Sequence, residues 1–325
     1  MDPEVAAAVP ELVGQNVLAP EQAAPFLRVA RGELLSVRNE LRVLLYGGVS
    51  LVMAGVGLLV KENIDRLGPV TIAVALGLAA AACLGWVARV APRFSWREQP
   101  SPNLAFDYLL LLGTLLAAAD LAYIEVKFTP LGANWPWHLL LVALLCGLLA
   151  FRYDSRVLFS LSLTTLAAWR GVSLGTIGSA TWRLGQVAVL RWNAVACGVV
   201  FVVAGWALQR FGRKPHFEPT AVHLGWLLLL GGLASGALEG SHLGDSWPGF
   251  ALLLLAVAGA LAVGALRARR FSLFAIGVLA GYIAVSRFAV AGLHGDTSIA
   301  AWFCVSAIAC VVGLVAAQHR MRQRP

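Results

Sequence analysis

The chain has 325 residues, of which 59% are hydrophobic and only 13% charged, about half the charged share (~25%) of a soluble domain. Apolar runs long enough to cross a bilayer recur along almost its whole length, which excludes a soluble globular enzyme. The formal charge of +8 does not point to nucleic acid, because the basic residues sit in short loops between apolar runs, where they set membrane orientation.

Residues 1–40 lack a basic start followed by an apolar core, so they do not read as a signal peptide. They predict two short amphipathic helices broken between Asn16 and Pro20, with Ala23, Leu27 and Ala30 on one face of the second. Ten spans then follow, at about 41–60, 69–91, 106–126, 136–151, 157–170, 193–210, 221–238, 248–266, 271–290 and 298–317. Span one is rich in small residues (Gly47, Gly48, Ser50, Ala54, Gly55, Gly57), which predicts close helix packing. Span five is short unless it continues through residues 171–175. The stretch 170–192 predicts an amphipathic or re-entrant segment at the outer interface.

Ten spans place both termini on one side. Lys and Arg number 18 on that side against six on the other, so the positive-inside rule puts both termini in the cytoplasm. The five cysteines (Cys83, Cys146, Cys197, Cys304 and Cys310) all lie in apolar runs. With no CxxC pair they suggest neither a disulfide framework nor a thiolate zinc site.

One stretch occurs twice. Residues 131–161 align with 243–273 without a gap at an offset of 112, with 12 of 31 positions identical. The informative matches are a Leu-Gly-x-x-Trp-Pro head (Trp135, Pro136 against Trp247, Pro248) and a Phe-Ser-Leu tail (Phe159 against Phe271). The tryptophans suit the interface and the prolines suit helix starts. Extended backwards, the register pairs spans two to five with spans six to nine. This predicts two parallel four-helix repeats over about 69–170 and 193–291. The expected architecture is therefore all-α: a cytoplasmic helical segment over 1–40, a transmembrane bundle over 41–318 and a basic cytoplasmic tail over 319–325.

The Pro20-Glu21-Gln22-Ala23 stretch, the glycine-rich first span and the turn from Lys61 to Pro69 together resemble the predicted bacterial membrane proteins grouped as domain of unknown function 2157. The resemblance is best over residues 10–95, and Ile64 stands where that family usually has Trp. It implies a bacterial inner-membrane location, and it carries no agreed activity and no catalytic residue.

Three groups of polar residues are candidates for function. Asp120 lies about six residues from the outer end of span three, roughly 9 Å deep at about 1.5 Å per residue, where a carboxylate must be paired, protonated or water-facing. Arg287 lies at a similar depth in span nine, and an Asp120–Arg287 pair would make a gate or a binding site. Glu239, His242 and Asp245, with His294 and Asp296, form an outer-face cluster of imidazoles and carboxylates, the donor set of a divalent-metal site. Lys61, Glu62, Asn63, Asp65 and Arg66 form a charged outer turn after span one. The spacings Gly232-x-x-x-Gly236 and Gly277-x-x-x-Gly281 predict helix packing. No Walker loop or HExxH motif occurs, and no cofactor is expected.

Transport or ligand binding between the two repeats is the leading expectation. The alternative is a scaffold or accessory subunit docking through residues 1–40 onto a membrane-protein partner or a second copy. A membrane enzyme would need the outer His/Asp cluster as its metal site.

Overall fold

The computed structural model describes residues 38–99, 101–176, 185–239, 247–293 and 295–323, with positions 9, 12–14, 19, 21 and 23. The two amphipathic helices expected before residue 38 therefore lie outside the described residues, apart from those positions. Ten α-helices are described: α1 Arg38–Leu67, α2 Pro69–Val90, α3 Leu104–Phe128, α4 Trp137–Tyr153, α5 Arg156–Thr176, α6 Gly185–Arg210, α7 Glu218–Ala237, α8 Trp247–Arg267, α9 Phe271–Gly292 and α10 Asp296–Gln323. Short 3-10 turns, Gly132–Asn134 and Pro215–Phe217, precede α4 and α7.

The helices fall where the ten apolar runs predict them, but not all meet the demands of a span. Eight are long and apolar enough to cross a bilayer. The other two are α4, apolar but 17 residues long, and α5, 21 residues long. Helix α1 runs on through Leu67 and breaks only at Gly68, whose φ is +76°. The turn expected from Lys61 onward is therefore helical, and the chain reverses one residue before Pro69. Helix α5 continues through residues 171–175. Helix α6 begins eight residues before the expected start of span six, so part of the segment expected at the outer interface is transmembrane helix. Residues 177–184 lie outside the described residues. Most of the expected basic tail continues α10.

The chain forms two compact units, residues 1–87 with 103–116, and residues 88–102 with 117–325. This division cuts through α3.

In the first unit, α2 buries Ile72, Leu76, Ala80 and Val87, which helical spacing places on one face. Asn103 caps α3, its Oδ1 accepting from the Phe106 amide at 2.7 Å, as an N-cap side chain does. At Gly113 α3 comes so near α2 that an added Cβ would lie 2.9 Å from Cys83 Cβ. The glycines of α1 behave differently: nothing lies within 4 Å of a Cβ built at Gly47, Gly48, Gly55 or Gly57. The close packing expected of that span is not made among the described residues.

In the second unit, antiparallel neighbours pack through small residues. Ser162 Oγ of α5 donates to the Ala143 carbonyl of α4 at 2.7 Å. Helices α6 and α7 meet along Gly198 and Gly205 on one side and Gly225 and Gly232 on the other. The spacing of seven on each helix keeps both glycines of a pair on one seam. Helices α8 and α9 pack at Gly277, where an added Cβ would lie 2.9 Å from the Ala258 carbonyl oxygen. Leu230, Leu233, Ala234, Leu254, Ala258, Leu261, Leu273 and Ala284 from α7, α8 and α9 form the core. Helix α10 stands at the edge, tied to α9 by Tyr282 Oη–Ser306 Oγ (3.1 Å) and by Trp302 Nε1 donating to Ser286 Oγ (3.4 Å).

Candidate functional site

Asp120 sits inside the α3 span, and its Oδ1 is buried without a hydrogen-bond partner among the described residues. One turn later, the Tyr123 hydroxyl is in the same condition. Residues three apart share a helix face, so α3 carries two unsatisfied polar groups side by side. Buried polar groups are nearly always hydrogen-bonded, and a bare carboxylate in a membrane span is costlier still. The chemistry open to this pair is to hold a proton, a cation, a water or a polar ligand.

The structure does not bring Arg287 to Asp120. Arg287 Nε donates to the Ala237 carbonyl at 3.1 Å, and its guanidinium lies 4.3 Å from the centroid of the Trp247 ring. The end of α7 and the start of α8 therefore hold this cation by a capping hydrogen bond and a cation–π contact.

A second arginine at this end was not expected from the sequence. Arg191 Nη2 donates to Glu239 Oε2 at 2.6 Å and Nε to Ser235 Oγ at 3.3 Å, while the guanidinium lies 4.6 Å from the Phe250 centroid. The Arg191 side chain is only 3% exposed. The early start of α6 places Arg191 in its second turn, beside the end of antiparallel α7, rather than in a loop. Glu239 is thus committed to an arginine. Asp296 opens α10, where a negative charge suits the positive end of the helix. His242, Asp245 and His294 lie outside the described residues. Among the described residues no three metal-ligating side chains converge.

The opposite end of the same unit holds a buried ionic cluster. Asp154, at the C-cap of α4, and Lys214, before the turn into α7, both adopt positive φ (58° and 51°). Such backbone is uncommon for residues other than glycine. Lys214 Nζ donates to Asp154 Oδ1 at 2.5 Å, with the two side chains 0% and 4% exposed. His216 Nε2 comes within 3.3 Å of the same oxygen but outside hydrogen-bonding geometry, so both its ring nitrogens stay buried and unsatisfied among the described residues. Phe217 stacks on Phe159 with centroids 4.5 Å apart and closes the apolar side. The irregular segment 91–102 lies over the cluster. The Lys214 amide donates to the Trp96 carbonyl at 3.0 Å, the ammonium lies 4.9 Å from the Phe94 centroid, and Arg152 Nη1 donates to the Pro92 carbonyl at 3.1 Å. Arg156 and Glu98 pair at 2.8 Å on the rim. This is a closed clamp: its ammonium and carboxylate satisfy each other.

At the charged segment after span one, Lys61 and Glu62 are exposed on the last turns of α1. Asn63, Asp65 and Arg66 continue the same helix rather than a turn. A further pattern, Gly171-Val172-Ser173-Leu174-Gly175, spells the nucleophile-elbow motif G-x-S-x-G. It runs through helix α5 and lacks the strained strand-to-helix turn that exposes such a serine.

Apolar helices long enough to cross a bilayer, joined by basic turns and carrying buried ion pairs at their ends, define a polytopic α-helical membrane protein. Residues 10–159 match the model of the family described as Predicted membrane protein (DUF2157). Over that stretch, a little under half of the chain, the protein is similar to this family. The match reaches well past residue 95, through α4 into the start of α5. No curated protein and no solved structure shows significant similarity to the chain.

Proposed function

We propose that the protein is a membrane ligand-binding or transport protein, with Asp120 as its working group. The observation that carries this reading is the buried, unpartnered Asp120 oxygen beside the unpartnered Tyr123 hydroxyl within one span. A fold has no structural use for an unsatisfied carboxylate in hydrocarbon, and ionisable residues there mark proton, ion or substrate sites. In the register of the sequence repeat Asp120 falls opposite Gly232, which packs against Val195 of α6. The acid thus belongs to one half alone, which suits a site more than a scaffold. The membrane is the bacterial inner membrane in this reading, with both termini cytoplasmic. The test is uptake of a panel of small polar solutes, with and without a pH gradient, into proteoliposomes of the wild type and of Asp120→Asn. A solute taken up by the wild type and lost in the variant supports the reading, and a panel indifferent to the protein refutes transport.

A second reading has its own observation. Gly48 and Gly55, seven residues apart and so on one face of α1, are open among the described residues, which suits close approach by a helix of a partner or of a second copy. In that reading the protein is a scaffold or accessory subunit, and residues 1–40 extend the docking surface. Co-purification of a stoichiometric partner, lost on substitution of Gly55 by Leu, separates it from the first.

A further inference from the structure

The starts of α7 and α9 bring a histidine and a serine together. Ser272 Oγ lies 2.6 Å from His223 Nε2, and His223 Nδ1 lies 2.5 Å from the Pro219 carbonyl oxygen. A carbonyl oxygen only accepts, so Nδ1 carries the ring proton and Nε2 is left as the acceptor. The Ser272 hydroxyl therefore donates to Nε2. A hydroxyl, a base and a third group that fixes the tautomer of the base are the parts of an activated nucleophile. The Glu218–Arg270 ion pair joins the same two helix starts, so the frame that carries the dyad is fastened.

Other serines of the bundle use their proton differently. The hydroxyls of Ser50, Ser160, Ser235 and Ser306 each donate to a carbonyl of their own helix, which cannot take the proton away. Ser160 is the repeat counterpart of Ser272, and Leu111 stands opposite His223 in the same register, so the dyad exists in one half alone. Ser272 is exposed and His223 half-buried, which leaves the nucleophile within reach of a substrate. Ser272 is also the second residue of α9, and no side chain caps that helix. The first hydrogen bond of α9 runs from the Phe274 amide to the Arg270 carbonyl. The amides of Ser272 and Leu273 precede it and are free of intrahelical partners. Such amides beside a nucleophile are donors for a developing oxyanion.

An apolar groove of about 540 Å³ runs between α6, α7 and α8 and ends at these helix starts. Its volume falls within the roughly 300–1,000 Å³ of small-ligand sites. Val222 and Leu273, the sequence neighbours of the dyad, line it together with Trp226 and Leu261.

We propose that Ser272 and His223 are a nucleophile–base pair that hydrolyses carboxylic esters of medium or long acyl chains, with the chain in this groove. Ser272 Oγ attacks the ester carbonyl carbon as its proton passes to His223 Nε2. The carbon–alkoxide bond then breaks, and the alkoxide leaves with that proton as the alcohol. Water attacks the acyl-serine, giving a proton to Nε2, and the released Ser272 oxygen takes it back as the carboxylic acid departs. The balance is ester plus water to acid plus alcohol. The site stands apart from Asp120 and does not rest on the transport reading.

The test uses full-length protein in detergent micelles, a fluorophosphonate probe with the adduct mapped by mass spectrometry, and hydrolysis of p-nitrophenyl octanoate and acetate. The expected results are an adduct at Ser272 and faster turnover of octanoate than of acetate. Ser272→Ala should lose both adduct and turnover. His223→Gln keeps a hydrogen-bonding side chain beside Ser272 but no base, so its thermal unfolding should match the wild type while turnover falls about 100-fold or more. Gly264→Leu adds a side chain to the groove at a position with nothing within 4 Å of a Cβ, and it should slow octanoate while sparing acetate. Absence of an adduct at Ser272 in folded wild-type protein, or labelling and turnover unchanged in His223→Gln, would overturn the dyad. Octanoate turnover unchanged in Gly264→Leu would overturn the place of the acyl chain.

Discussion

Lys214 Nζ donates to Asp154 Oδ1 at 2.5 Å with both side chains out of solvent, and the two residues come from different helix hairpins. The contact fastens the α4–α5 turn to the connection between α6 and α7. The Lys214 amide extends the fastening to the segment 91–102 through the Trp96 carbonyl. Removing one member of a buried pair strands the other, at a cost of about 3–5 kcal/mol, whereas replacing both by apolar residues is often close to neutral. Lys214→Met and Asp154→Leu are each therefore expected to lower stability by that amount. The double variant is expected to recover most of the loss. Denaturant unfolding in mixed micelles, analysed as a double-mutant cycle, measures the coupling. Additive losses would show that the pair contributes nothing jointly.

The glycine seam between α6 and α7 gives a second prediction. A Cβ on Gly198 would stand 2.6 Å from the Gly225 carbonyl oxygen, and one on Gly225 would stand 2.8 Å from the Gly198 carbonyl oxygen. The backbones themselves are in contact, so the neighbour that must give way is not a flexible side chain. Gly225→Leu is expected to destabilise by about 1–3 kcal/mol or more through overpacking. Gly259→Leu, at an open position on α8, should stay within about 0.5 kcal/mol of the wild type. Equal effects at the two positions would mean that α6 and α7 do not approach as described.

Much of this fold was legible in the apolar runs. A hydrocarbon environment permits few alternatives to a helix, so run length located the ten helices among the described residues. Helix ends were less legible, because polar residues at an end can be helix or turn. Residues 61–67 continue α1 although their charges look like a loop, and α6 takes in Arg191 although a lone arginine looks like a boundary. The partner settles each case: Arg191 is tolerable inside α6 because Glu239 and Ser235 lie beside it. Partners far apart in sequence, such as Asp154 and Lys214, could not be read from either stretch alone. Their only local signal is positive φ at residues other than glycine, which the sequence does not display. Asp120 was legible because an acid among leucines and alanines stands out. Its expected partner Arg287 was not, because two residues at similar depth need not lie on neighbouring faces.

Topology supplies a third prediction. If both termini are cytoplasmic, the connection between α3 and α4 faces outward and segment 91–102 faces inward. A cysteine placed by Pro130→Cys should gain label from a membrane-impermeant maleimide in intact cells. One placed by Arg97→Cys should gain it only after permeabilisation. The reverse pattern would invert the orientation and with it the reading of the basic turns.

The central claim is that Asp120 is a working, protonatable carboxylate within the membrane. Hydrophobic carbodiimides react with protonated carboxyl groups that they can reach through lipid, so adduct formation mapped by mass spectrometry tests the claim directly. The account predicts an adduct at Asp120 that becomes scarcer as pH rises. It predicts none at Asp154, whose carboxylate is buried against Lys214, and none anywhere in α3 of Asp120→Asn. Absence of any adduct at Asp120 from acid to alkaline pH, with the protein folded, would contradict it.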